Sequence, residues 1–145
     1  MAGNLATRFG AKIEGIDTGG AFEGFGSYFR GIFASVRHSA TPIKPPKYDP
    51  SQFDIILIIG PLWAGNISCP VRGYLTVTVP HIGRYAAFIT STEGKPDRAF
   101  EQLGQIIGHA PVAIGSVAIR DVLGKTWEAK VDAFAATVET AMTSF

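Results

Sequence analysis

Five aliphatic residues, Ile55-Ile56-Leu57-Ile58-Ile59, run without interruption between Asp54 and Gly60. A strand with one face in water alternates apolar and polar side chains, so a run with no polar position belongs to a strand buried on both faces. Burial of that kind requires helices above and below, which is what crossover connections give a parallel sheet. The chain must therefore supply covering helices and further apolar strands.

It supplies them in alternation. Ala2, Leu5, Ala6 and Phe9 fall at helical spacing and stop at Gly10, so residues 1–9 read as the last turns of a helix. "AKIEGID", residues 11–17, is a short strand candidate ended by Thr18-Gly19-Gly20. Phe22, Phe25, Phe29, Ile32, Phe33 and Val36 form an aromatic stripe of helical period, which reads as a helix face laid on a sheet. "TPIKPPKYDP", with four of the nine prolines, closes that segment as a loop. "FDIILIIG", residues 53–60, is the clearest strand, and Ser68-Cys69-Pro70 starts a helix that runs through Val71 and Leu75. "RYAAFITST", residues 84–92, and "APVAIGSVAI", residues 110–119, are two more strands flanking a helix at 97–108 with Phe100, Leu103, Ile106 and Ile107 on its apolar face. A closing helix at 126–145 places Trp127, Val131, Phe134, Val138, Ala141 and Phe145 together. No internal repeat or linker divides the chain, and the expectation is one α/β domain spanning 1–145, with a mainly parallel sheet between helical layers.

Composition removes several classes of function. A formal charge of +1 with scattered Lys and Arg gives no footprint for nucleic acid or for an anionic membrane surface, so neither partner is expected. Cys69 stands alone, which leaves no internal disulfide and no cysteine-based zinc site and suits a reducing compartment. The opening "MAGNLATRFGAKIEG" lacks the features of a signal peptide, and no apolar run approaches the ~18 residues of a membrane span. A cytoplasmic location is the expectation.

In an open parallel sheet, ligands sit beyond the carboxyl ends of the strands, so the loops after the apolar runs are the ones to inspect. "GPLWAGN", residues 60–66, joins glycines that let backbone approach a ligand to Trp63, a broad flat surface with one N–H donor. "TSTEGK", residues 90–95, gathers hydroxyls, a carboxylate and a glycine. Neither holds a nucleophile with a base, and no catalytic residue is assigned; both suit a planar heterocycle read by backbone groups. Ligand contact and plain packing are both open for Trp63. Glu93 is expected to be solvated and Cys69 to be a packed small residue at a helix start. His38, His81 and His109 lie in separate segments with no pairing to one another or to carboxylates, so no metal site is expected.

On these residues the chain resembles the flavodoxin-like family of flavin mononucleotide (FMN) proteins. The likeness runs from Ala2 to the closing helix and is strongest at Asp54, Pro61, Trp63, Gly65, Pro70, Val71, Arg72 and "FITSTEG". It implies a three-layer sandwich whose five-stranded parallel sheet has the order 2-1-3-4-5. It also implies that the isoalloxazine ring lies between Pro61, Leu62, Trp63, Ala64, Gly65 and Asn66 on one side and Thr90, Ser91, Thr92, Glu93 and Gly94 on the other. Electron or hydride transfer through FMN would follow, as in an FMN-dependent oxidoreductase. The near-neutral charge departs from acidic electron shuttles that dock on basic redox partners, and fits a reductase acting on a small molecule better.

The departure from the family is at the start. Its members open with an apolar strand and a Ser/Thr/Gly-rich loop that wraps the flavin phosphate at a helix N-terminus. Met1 falls where the first helix is already under way, so that first strand and its phosphate loop have no counterpart here. "DTGGAF" at 17–22 has similar residue types but follows a different strand, and "GKT" at 124–126 has Ile119 where a nucleotide loop has glycine. Impaired phosphate anchoring is one expectation; the alternative is a module of the same fold without tight flavin binding, interacting or structural, or a fragment with a mis-assigned start. The gap in the sheet could be closed by the strand at 11–17 moving inward, by residues upstream of Met1, or by a second copy, and a homodimer or larger homo-oligomer is the expectation, because a sheet deprived of its central strand exposes apolar surface.

Overall fold

The computed structural model describes residues 1–21, 37–93 and 95–144. The aromatic stripe from Phe22 to Val36, Gly94 and Phe145 lie outside the described residues. Along the rest run α1 (Ala2–Phe9), β1 (Ile56–Trp63), β2 (Asn66–Ile67), α2 (Cys69–Thr78), β3 (Tyr85–Ser91), α3 (Asp97–Ile107), β4 (Ala113–Ala118), α4 (Ile119–Leu123) and α5 (Trp127–Thr143). Among these residues the sheet has the order β2-β1-β3-β4. β1 pairs with β3 and β3 with β4 in parallel, while the two-residue β2 folds back antiparallel on the end of β1.

Local chemistry sets the boundaries. Gly10 and Gly108 take left-handed φ of 58° and 94° at the ends of α1 and α3, where a side chain would be strained. Pro70 sits in the first turn of α2, where its missing N–H costs no helical bond. β1 begins and ends three residues later than the 53–60 run suggests, because pairing with β3 carries it through Pro61 and pairing with β2 adds Leu62 and Trp63.

Alternation along β3 divides the core. Tyr85, Ala87 and Ile89 face a layer with Val71 and Leu75 of α2 and Ala99, Leu103 and Ile107 of α3. Ala86 and Phe88 face the other way, against Leu5 of α1 and Val131, Phe134, Ala135 and Val138 of α5. The result is a three-layer α/β sandwich of the flavodoxin-like kind. Phe88 and Phe134 meet edge to face with centroids 5.0 Å apart. A Cβ on Gly115 would come within 2.7 Å of the Phe88 ring, so that position must be small. Arg8 clamps α1 to α5 through two bonds to the Glu139 carboxylate, at 2.7 and 3.1 Å.

Residues 11–17 do not form the expected strand. Their polar groups find partners in residues 44–48 instead. Lys44 donates to Asp17 through its amine at 2.6 Å and through its backbone N–H at 2.8 Å. Glu14 accepts the backbone N–H groups of Lys47 and Tyr48, and Lys12 lies 5.0 Å over the Tyr48 ring. The segment is therefore bonded to 44–48 and not to β1, with which it shares the walls of a cavity, and no strand pairs with that edge of β1 at 56–61 among the described residues. No helix of the described residues is long and apolar enough to cross a membrane.

Candidate functional site

The parallel register places Pro61 of β1 opposite Thr90 of β3, so the two loops singled out in the sequence leave the sheet side by side at its carboxyl edge. Pro61 is exposed, and Leu62 and Trp63 are half-buried at the end of β1. Thr90 and Ser91 are half-buried at the end of β3, while Thr92 and Glu93 are exposed. Gly94 lies outside the described residues.

After Trp63 the chain reverses in two residues. Ala64 and Gly65 take φ of 49° and 76°, the paired left-handed conformations of a hairpin turn whose twist matches its strands. For glycine this is free of strain; for Ala64 it costs about 1–2 kcal/mol. The turn persists because its far side is anchored. Asn66 and Ile67 are buried, and Gln102 of α3 reaches both: its Oε1 accepts the Ile67 N–H at 3.0 Å and its Nε2 donates to Asn66 Oδ1 at 2.7 Å. Asn66 Nδ2 in turn donates to the Ala64 carbonyl at 2.9 Å. The Asn66 amide is thus engaged on both sides in holding the turn, and its part in the site is to position Trp63 and the 64–65 backbone.

Gln102 was not singled out by motif. The sequence signal for it is its place on the apolar stripe of α3, between Ala99 and Leu103, where a glutamine needs buried partners. Asp121 is a second such residue. At the carboxyl end of β4 it is 8% exposed, and it accepts the Ala118 N–H and the Lys130 amine, both at 2.8 Å. The Lys130 bond, followed by the Ala118 N–H, holds its carboxyl below the usual carboxylate range.

Beneath Trp63, along the unpaired edge of β1, lies a cavity of about 440 Å³. Leu5 of α1 lines one side and Val71 and Tyr74 of α2 the other; Thr90 to Glu93 are not among its walls. Burial, then Glu14, pushes the Tyr74 phenol up. Burial lowers the pKa of Arg72, whose Nε and Nη2 have no hydrogen-bond partner among the described residues. Cys69 is fully buried at the start of α2, in keeping with a packed small residue. His81 departs from expectation, because its Nδ1 lies 3.2 Å from Asp49 Oδ1 once the turn at Val79–His81 approaches that at Pro50–Gln52. No group of three potential metal ligands forms among the described residues.

Neither a family model nor a curated protein sequence matches this chain. Among solved structures it is similar to a flavoprotein from Lactobacillus acidophilus NCFM, crystallised in complex with FMN, at 17% identity and a TM-score of 0.63. The likeness covers 88% of this chain and 87% of the other, and at that identity it establishes a shared fold.

Proposed function

We propose that this chain is a flavodoxin-like protein that binds FMN, with the ring between the 61–66 turn and the 90–94 loop. The register of Pro61 with Thr90 carries the proposal, since it puts both loops at one end of neighbouring parallel strands, where such sheets bind ligands. The likeness to an FMN-bound flavoprotein supports it. The donor set suits a flat ring. With the Asn66 amide engaged, the ring edge is left to backbone groups of 64–65 and 91–93 and to the Thr90 hydroxyl, and the half-buried Trp63 offers an aromatic flank.

When bound, the flavin supplies the electron or hydride transfer. The chain's own part is to orient the ring and keep water from one face of it. A near-neutral surface favours a small-molecule substrate over a charged redox partner.

The donor set suits the phosphate less well. The turn at 17–21 closes on itself, with the Gly19 N–H donating to Asp17 Oδ1 at 2.8 Å and the Ala21 N–H to the Thr18 carbonyl at 3.3 Å. Loss of two or three charge-assisted bonds of ~1.5–3 kcal/mol each weakens binding by roughly a hundredfold to several million-fold, at about 1.4 kcal/mol per tenfold. The open edge of β1 favours the second reading, a module of this fold that interacts with other proteins without holding flavin tightly.

Titration of FMN and of riboflavin into the chain, followed by flavin fluorescence, separates the two. The first reading expects saturable binding of both at similar affinity, because the ring and not the phosphate is held. No binding of either flavin at millimolar concentration refutes it.

A further inference from the structure

We propose that the proline-rich segment 42–47 is a docking ridge for a partner domain whose groove is lined by aromatic side chains and carries a carboxylate at one end. The inference does not rest on flavin binding and begins with the backbone. Proline fixes its own φ at about −65° and holds the residue before it extended, and from Thr41 to Pro46 only Ile43 escapes both restraints. The segment is thus held as a polyproline II helix, which turns once in three residues and has no internal hydrogen bonds. Its bonds to the rest of the chain keep that period. The N–H groups of Thr41, Lys44 and Lys47, three residues apart, all donate inward: to the Cys69 carbonyl at 3.2 Å, to the Asp17 carbonyl at 2.8 Å and to the Glu14 carboxylate.

The side chains sort by the same period. Ile43 and Pro46 are half-buried, and a Cβ on Gly73 of α2 would crowd both the Ile43 methyl and the Thr41 carbonyl, so this edge lies on the helix. Pro42 and Pro45 form a second edge and Lys44 and Lys47 a third, and all four are exposed. A three-sided helix enters a groove by two edges and turns the remaining one away. Here the edge turned away is the one the fold already covers. Pro42 and Pro45 have the Pro-x-x-Pro spacing that aromatic-lined grooves read. Of the two lysines, Lys44 is tied to Asp17 at 2.6 Å, whereas the Lys47 amine rests 5.1 Å over the Tyr48 ring. Lys47, two residues beyond Pro45, is therefore the charge offered to a partner, and the groove that fits it ends in an Asp or Glu. Because the fold has already ordered the ridge, docking forfeits little backbone freedom.

The test uses the whole chain, a synthetic peptide of residues 40–49, and as probes SH3 domains that select Pro-x-x-Pro-x-Lys ligands, with binding followed by calorimetry. The expected result is saturable one-to-one binding of the whole chain, at least as tight as that of the peptide. The double variant Pro42→Ala with Pro45→Ala, and separately Lys47→Glu, should each weaken binding roughly tenfold or more, with circular dichroism unchanged because all three side chains are exposed. Binding of the peptide without binding of the whole chain would overturn the proposal, since the ridge would then be blocked in the fold. No binding of either at millimolar concentration would also overturn it. Equal binding by the parent and the proline variant would refute the ridge, and equal binding by Lys47→Glu would refute the acidic end of the groove.

Discussion

Replacing Gln102 by Leu probes how the Trp63 turn is held. The change removes the acceptor of the Ile67 N–H and the donor to Asn66 Oδ1, and both groups are buried. Each buried group left without a partner costs about 1–3 kcal/mol. Burying leucine in place of the amide returns about 1.5–3 kcal/mol, so the middle of these ranges gives a net loss of about 2 kcal/mol. The loss falls first on the turn, because both orphaned groups belong to it. Urea unfolding followed by circular dichroism reads the global term, and hydrogen exchange at the Ile67 amide reads the local one. Exchange there is expected to quicken more than at Leu103, which shares the helix but not the bonds. Gln102→Glu adds a signature in pH. The buried carboxyl, needed in its protonated form to donate to Asn66, has its pKa raised on folding. Its contribution is then fully present below the unfolded value and lost as pH rises through the folded one, so this variant should be more stable at pH 4 than at pH 7 relative to the parent. Unchanged Ile67 exchange in both variants would refute the claim that Gln102 anchors the turn.

Other outcomes follow from single residues. Ala64→Gly relieves a left-handed alanine and should stabilise the protein by about 0.5–1 kcal/mol after the backbone entropy of glycine is counted, read as a higher urea midpoint. The Tyr85 phenol, fully buried and donating to the His109 carbonyl at 3.0 Å, is pushed up to about 12 by burial from an ordinary 10.0. Its contribution is complete below pH 10 and lost as pH rises toward 12, so Tyr85→Phe should flatten the alkaline limb of a stability profile; an identical limb in both proteins contradicts this. Ile114, Val122 and Leu123 are 54%, 49% and 77% exposed, and self-association through them is expected in sedimentation at micromolar concentration, reduced by Leu123→Glu. A monomer in both proteins counts against it.

Much of the layering was legible because it rests on local rules. The apolar runs at 84–92 and 110–119 contain β3 and β4, the run at 53–60 overlaps the first five residues of β1, and Gly10, Pro70 and Gly108 mark helix ends where glycine and proline belong. The pairing at 11–17 was not legible, since Ile13 and Ile16 suit a strand and only the partners of Lys12, Glu14 and Asp17, some thirty residues on, draw it elsewhere. β2 is two residues long, too short for a periodic signal. The loops of the candidate site were found by residue type. What holds the first of them, Gln102, lies thirty-five residues beyond Ile67 on a helix read only for its apolar face.

The central claim is that the carboxyl edge between β1 and β3 receives a flavin ring. The most direct measurement is amide chemical-shift mapping of the chain with FMN, recorded together with Trp63 fluorescence. The account predicts shifts concentrated at Ala64, Gly65 and Thr90 to Glu93 with quenching of Trp63, and little change at Leu57 or Ile59. Shifts confined to Leu57 and Ile59, or none at any of these amides, would contradict it.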